Sequence, residues 1–170
     1  MRFISQKLKM TLYIRYFGLT KVPMIFYCRP RVLDITSDSV TVKIPLLRRN
    51  KNHVGSMYLG ALSVGADITS AILALSVIKK SKKKIIPIFK DFHAEFLKRA
   101  EGDVHFICED GMAIQNLVEV TEQSSERQNL PVHITATVPK ISNKDQHIMR
   151  FIRFWLKSTP KSKQIVRKRS

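Results

Sequence analysis

Residues 55–78 read GSMYLGALSVGADITSAILALSVI, and the reading of this stretch decides the architecture. It carries a single charge, Asp67, and is long enough to cross a bilayer core of about 30 Å. A carboxylate at the centre of a spanning helix costs about 2.5 to 3.5 kcal/mol on insertion scales. Ser63, Gly65, Thr69, Ser70 and Ser76 dilute the apolar content further. Cations flank both ends, Arg48, Arg49 and Lys51 before it and Lys79, Lys80, Lys82, Lys83 and Lys84 after it, so the positive-inside rule gives no orientation. The stretch reads as a helix buried in protein on nearly all sides, with no integral membrane span.

Outward from it in both directions the patterns are those of strands. Residues 31–36 and 39–46 flank Ser37-Asp38, and the second run alternates Val40, Val42 and Ile44 with Thr41 and Lys43, the period of a half-buried strand. That is a hairpin entering the helix. Residues 85–98 carry Ile86, Ile88, Phe92 and Phe96, and Glu101-Gly102-Asp103 predicts a turn into residues 104–108, giving a second hairpin. Residues 112–121 suit a short helix that gathers Ile114, Leu117 and Val118; residues 132–138 and 148–156 read as a third strand pair. The linkers within the strand pairs are too short for parallel crossovers. The expected class is α+β: an antiparallel sheet wrapped around one long central apolar helix. A sheet curled around one helix leaves few side chains to close its far face, so two subunits are expected to join edge to edge.

The 170 residues hold 30 Lys plus Arg against 13 Asp plus Glu, a balance of +17. A hydrophobic content of 44% is enough for one core and excludes a wholly disordered chain. The charge is patchy: no acid precedes Asp34, and the segment 158–170 reads as a disordered basic tail. Residues 1–28 form an amphipathic helical segment, with Ile4, Leu8 and Leu12 on one face and Lys7, Lys9 and Arg15 off it. Such a helix either packs on its own domain, the commoner fate, or lies on a membrane. Residues 29–157 make the main domain. Cys28 and Cys108 each sit beside large apolar residues, as reduced thiols do, and no secretory signal pattern forms, so a cytoplasmic protein is expected. His93, His105, His133 and His147 lack metal-ligand spacing, and no metal is expected. Nucleic acid is an unlikely partner, because no recognised motif interleaves the charge with aromatics.

At the entrance to the long helix, the run from Asn52 to Asp67 resembles hotdog-fold acyl-CoA thioesterases of the phenylacetyl-CoA type, whose pattern is Asn, two residues, Gly, two residues, His-Gly-Gly, then an acid on the helix. Asn52, Gly55, Gly60 and Asp67 stand at the matching positions; Tyr58 replaces the His and Leu59 the first Gly of the pair. The wider text, with Ile44-Pro45, Phe96 to Val104 and Glu126-Arg127, is similar to a poorly characterised thioesterase-like branch of that superfamily, over residues 10–157. The resemblance implies a hotdog fold, a homodimer or tetramer, an acyl-CoA substrate and no cofactor beyond the coenzyme A that the substrate carries.

Thioester hydrolysis needs a polarised carbonyl and an attacking water, and a helix's first turn offers unpaired N–H groups to an oxyanion. Leu59 and Gly60 lie at that turn. Asp67 lies about two turns on, roughly 10 Å along the axis, too far to serve the same carbonyl. The resemblance implies that it serves the partner subunit's amides, with a pKa raised by burial. Asn52 reads either as a turn residue or as a substrate-positioning one. Tyr58 is expected to stack in the core, or else to donate in place of the absent His. His53 and Gly55 complete the expected substrate-binding entrance, His53 as a proton donor or as a plain loop residue. The expected function is hydrolysis of acyl-CoA or related thioesters by Asp-assisted water attack; the alternative is a catalytically silent acyl or lipid binder.

Overall fold

A computed structural model describes residues 5–81, 85–123, 128–139 and 147–156, the last stretch by its backbone. The segment 158–170, Lys82 to Lys84, and Glu126-Arg127 lie outside the described residues. The chain runs α1 (Gln6–Thr20), α2 (Pro23–Cys28), β1 (Arg31–Ile35), β2 (Val40–Ile44), a 3-10 turn (Arg48–Asn50), α3 (Leu59–Ile78), β3 (Phe89–Phe96), β4 (Val104–Cys108), α4 (Gly111–Gln123), β5 (Pro131–Thr137) and β6 (His147–Leu156). One antiparallel sheet of order β1-β2-β4-β5-β6-β3 carries all six strands. α3 packs across β2, β4 and β5, so this is the antiparallel sheet around one central helix that the sequence pattern predicts, and the hotdog arrangement that the resemblance implies.

The core forms where strand alternation meets the helix. Val40, Val42 and Ile44 on β2, Val104, Phe106 and Cys108 on β4, and Val132, Ile134 and Ala136 on β5 all point inward and are fully buried. On α3, Gly65 lies under Phe106 so closely that a Cβ would overlap its ring. A glycine is therefore what lets the helix seat deep in the sheet.

The second expected hairpin does not form. β3 pairs with β6 at the far edge, with Phe89 opposite Leu156 and Phe96 opposite Met149, whereas β4 pairs with β2 and β5. Residues 97–103 are a crossover past the start of α3: the Met57 N–H donates to the Ala100 carbonyl at 2.8 Å, and Ala100 is buried. Asp103 anchors the crossover's end on β2, accepting from the Leu46 N–H at 2.9 Å and pairing with Lys43 Nζ at 3.0 Å. The Glu-Gly-Asp signal marks a real change of direction, but the partner strand is set by the core and not by proximity in sequence.

The N-terminal segment also differs from expectation. It breaks at Lys21-Val22, and Pro23 opens α2 at a position where its missing N–H costs nothing. α1 meets the domain through Thr11, Ile14 and Gly18, while Leu8 and Leu12 face solvent. Gly18 sits against the backbone of Phe26, where a Cβ would fall 2.6 Å from its nitrogen; this contact fixes the hairpin of α1 and α2.

Candidate functional site

The loop leading into α3 is built on two asparagines. Asn50, buried, accepts from the Leu47 N–H through Oδ1 and donates from Nδ2 to the Pro45 carbonyl, both at 2.7 Å. Its own carbonyl receives the Tyr58 N–H at 2.8 Å. Asn52 Oδ1 accepts from the N–H groups of Val54 and Ser56 at 3.1 Å each, and Nδ2 donates to Ser56 Oγ at 2.9 Å. This is an Asx turn. Between Val54 and Ser56, Gly55 takes φ +84°, a left-handed conformation that a side chain resists. Sequence reading missed Asn50 and Ser56, and the turn-forming run Arg-Arg-Asn-Lys-Asn was the available signal.

That loop delivers Tyr58 as the N-cap of α3 and Leu59 and Gly60 as its first two residues. Among the described residues no acceptor meets the Leu59 or Gly60 N–H; the first amides of the helix to find partners are those of Ala61 and Leu62, both on the Tyr58 carbonyl. Tyr58 does not stack in the core as expected: it is 57% exposed, and its ring lies over Gly60. With its backbone N–H held by Asn50, the side chain is left outside the helix stripe that faces the sheet. His53 is exposed, on the outer side of the loop.

A groove of about 470 Å³ opens beside this helix start. Asn52, Ser56, Leu59 and Leu62 form one wall, and Phe96 at the end of β3 with residues 97–100 of the crossover form the other. The groove's second wall was not foreseen, because it exists only through the crossover. Leu59 stands at its rim, half in solvent.

Asp67 lies on the same helix but outside this groove. α3 is not buried on all sides: Gly60, Ser63, Val64, Asp67 and Ala71 form a half-buried stripe down the face turned from the sheet. By length and composition α3 could cross a membrane, yet just over half of it is buried against the domain. No hydrogen bond or ion pair reaches the Asp67 carboxyl among the described residues, and burial pushes its pKa up to about 6. A carboxylate so placed is poised to take a proton near neutrality. The structure thus brings Asn52 and Leu59 together at the groove, leaves Gly60 beside Leu59 under the Tyr58 ring and outside the groove lining, and sets Asp67 apart, further along an open helix face.

Chains of similar architecture include a protein of unknown function from Chlorobaculum tepidum (TM-score 0.74, 12% identity, covering 89% of this chain and 95% of that one). Another, from Shewanella oneidensis and provisionally named a thioesterase, has a TM-score of 0.70 at 14% identity, covering 89% and 97%. A third, from Pseudomonas aeruginosa and described as a probable thioesterase, has a TM-score of 0.68 at 22% identity, covering 87% and 95%. At such identities the likeness speaks for the hotdog fold. No curated protein matches the sequence significantly. A family model does, over residues 13–148, and the chain belongs to that family, described as a domain of unknown function, DUF4442.

Proposed function

We propose that this protein hydrolyses acyl thioesters, coenzyme A esters first among them, at a site shared by two subunits. The observation that carries the reading is the pair of features on one helix: amides at Leu59 and Gly60 and an Asp67 carboxyl with a pKa near 6, none of which meets a partner among the described residues, with Asp67 on the half-open stripe below the amides. Asp67 lies seven positions beyond Gly60, about 10 Å of helix, so one carbonyl cannot meet both from the same chain. A second copy laid antiparallel along the stripe would bring its Asp67 to these amides. β3 is the sheet edge away from α1, and Phe92 and Phe96 on it are each more than 40% exposed, which suits an edge-to-edge dimer. In this reading the thioester carbonyl oxygen sits on the Leu59 and Gly60 amides, the acyl chain follows the groove, and Asp67 of the partner takes a proton from the attacking water. The tetrahedral intermediate then expels the thiolate, which is protonated as coenzyme A leaves. Asn52 holds the loop in register for this task, and the similarity of the entrance to phenylacetyl-CoA thioesterases points to the same use of the first turn.

The test is an acyl-CoA panel. Asp67→Asn is expected to lower kcat by about a hundredfold or more while folding and assembling normally. Wild-type kcat/KM should rise through an apparent pKa near 6, because the base works only when ionised. Leu59→Pro removes one amide yet suits the first helical position, where Tyr58 before it is already extended. It should also cost about a hundredfold relative to Leu59→Ala. Mixing the two inactive variants should restore up to about one quarter of wild-type activity, since each mixed dimer holds one intact site. Inactivity of the wild type on every chain length, with retained acyl-CoA binding, would favour a silent acyl binder. The Leu59 side chain at the rim, where the related pattern has glycine, is the feature on that side.

A further inference from the structure

Helix α1 has two apolar faces, and only one is covered by the described residues. Thr11, Ile14 and Gly18 meet the domain, while Leu8, Leu12, Tyr16 and Leu19 recur at i, i+4, i+8 and i+11 as one continuous outward stripe. Their exposures are 49%, 53%, 68% and 58%, and α2 extends the surface with Met24 at 56% and Tyr27 at 51%. Single exposed apolar side chains are ordinary, but a run of this extent on a hairpin marks a surface that something covers.

The charge around the stripe says what. No acid precedes Asp34 in the sequence, and among the described residues the cation that Asp34 engages is Lys7, at 2.7 Å. Lys9, Lys21, Arg29 and Arg31 are exposed and have no acidic partner among the described residues. Two further cations are brought to the hairpin from elsewhere in the fold: Lys79 Nζ lies 4.7 Å over the Tyr13 ring, and the Arg49 guanidinium 5.2 Å over that of Tyr27. Leucines outward, tyrosines beside them and uncompensated cations at the margin are the arrangement of a segment that sinks its apolar side chains to the acyl boundary while its cations meet phosphates. A second copy of the chain fits this surface poorly, since a two-fold contact would set the same cations against themselves, and Asp34, the first acid in the sequence, is already taken by Lys7. The hairpin also lies on β1, at the opposite edge of the sheet from β3.

We propose that the outward face of the α1 and α2 hairpin docks this protein on an anionic lipid surface. The inference stands independently of thioester hydrolysis. It is tested with the full chain and vesicles of phosphatidylcholine alone or of equal parts phosphatidylcholine and phosphatidylglycerol. Co-sedimentation is expected with the mixed vesicles, weaker with the neutral ones. The double substitution Leu12→Gln with Leu19→Gln keeps every cation, and both sites are solvent-exposed, so the thermal melt should be unchanged while binding to mixed vesicles falls roughly tenfold. A wild type that stays in solution overturns the proposal. So does a double variant that binds like wild type, which would mean that charge elsewhere, as in residues 158–170, does the binding. Sedimentation velocity supplies the remaining outcome: if the double variant instead drops to a smaller oligomer, with vesicle binding intact, the face joins copies and the proposal fails.

Discussion

Asp67 sets the first trade-off, because the environment that raises its pKa to about 6 also penalises the folded chain whenever the group is charged. The carboxyl titrates near 3.8 when unfolded, so the folded state holds the extra proton between about pH 4 and 6. Stability from this group therefore falls as pH rises through that window and stays lower above it. Asp67→Asn should stabilise the protein by about 2 to 3 kcal/mol at pH 7, with the gain fading to nothing near pH 4, as read by denaturant melts at several pH values. Equal gains at both ends would mean that the carboxyl is better solvated than its position implies. Gly65 poses an opposite case. Alanine is the better helix former by about 1 kcal/mol, but its Cβ would overlap the fully buried Phe106 ring. Overlap should prevail, with Gly65→Ala costing about 1 to 3 kcal/mol, and in a Phe106→Leu background the same change should turn neutral or favourable in the melt. Asp67 stood out in the sequence as the lone charge in an apolar run, whereas the seat of Gly65 under Phe106 and the hydrogen-bonding of Asn50 and Ser56 could not be read there. Turn residues announce a turn; which amides they satisfy depends on the path of the loop.

Periodicity identified almost every element, because alternation and helical spacing record which side chains face a core. Pairing was less legible. β3 was assigned to β4 from a turn signal, and the fold instead carries it to β6 through the crossover held by Met57 and Asp103. Strands of similar apolarity compete equally for a neighbour until the central helix dictates the order around it. The anchor at Asp103 can be weighed directly. Asp103→Ala removes the acceptor of the Leu46 N–H and the partner of Lys43, and should lower stability by about 1 to 2 kcal/mol in a denaturant titration. A cost near zero would mean that the crossover is held by the backbone contact at Ala100 alone. α1 was likewise found as a helix with its orientation reversed, since a leucine stripe announces an apolar face without saying what it meets.

At the scale of the molecule, the sheet has two unlike ends. β3 is a long edge strand with aromatic side chains beside it, and β1 is overlaid by the helical hairpin. The fold class and the central helix were legible because burying so apolar a stretch admits few solutions. The helix's open stripe was not, because exposure within an apolar segment leaves no mark in composition. Neither was the groove, which is made by two segments far apart in the chain, residues 52–62 and 96–100. Electrostatics were legible in part: the acid-free stretch before Asp34 stands in the sequence, but the fold decides that Asp34 takes Lys7 and that Arg49 and Lys79 join the same surface.

Two thiols sit in different parts of this architecture, Cys28 closing α2 and Cys108 in mid-sheet on β4. Burial raises both, Cys108 to about 12, so neither supplies thiolate while its surroundings hold. They are built-in clocks for opening. In a pulsed alkylation experiment followed by mass spectrometry, Cys28 should be labelled first, reporting detachment of the helical hairpin, and Cys108 only with global unfolding. Any agent that loosens the hairpin without melting the sheet will advance one clock and leave the other at rest.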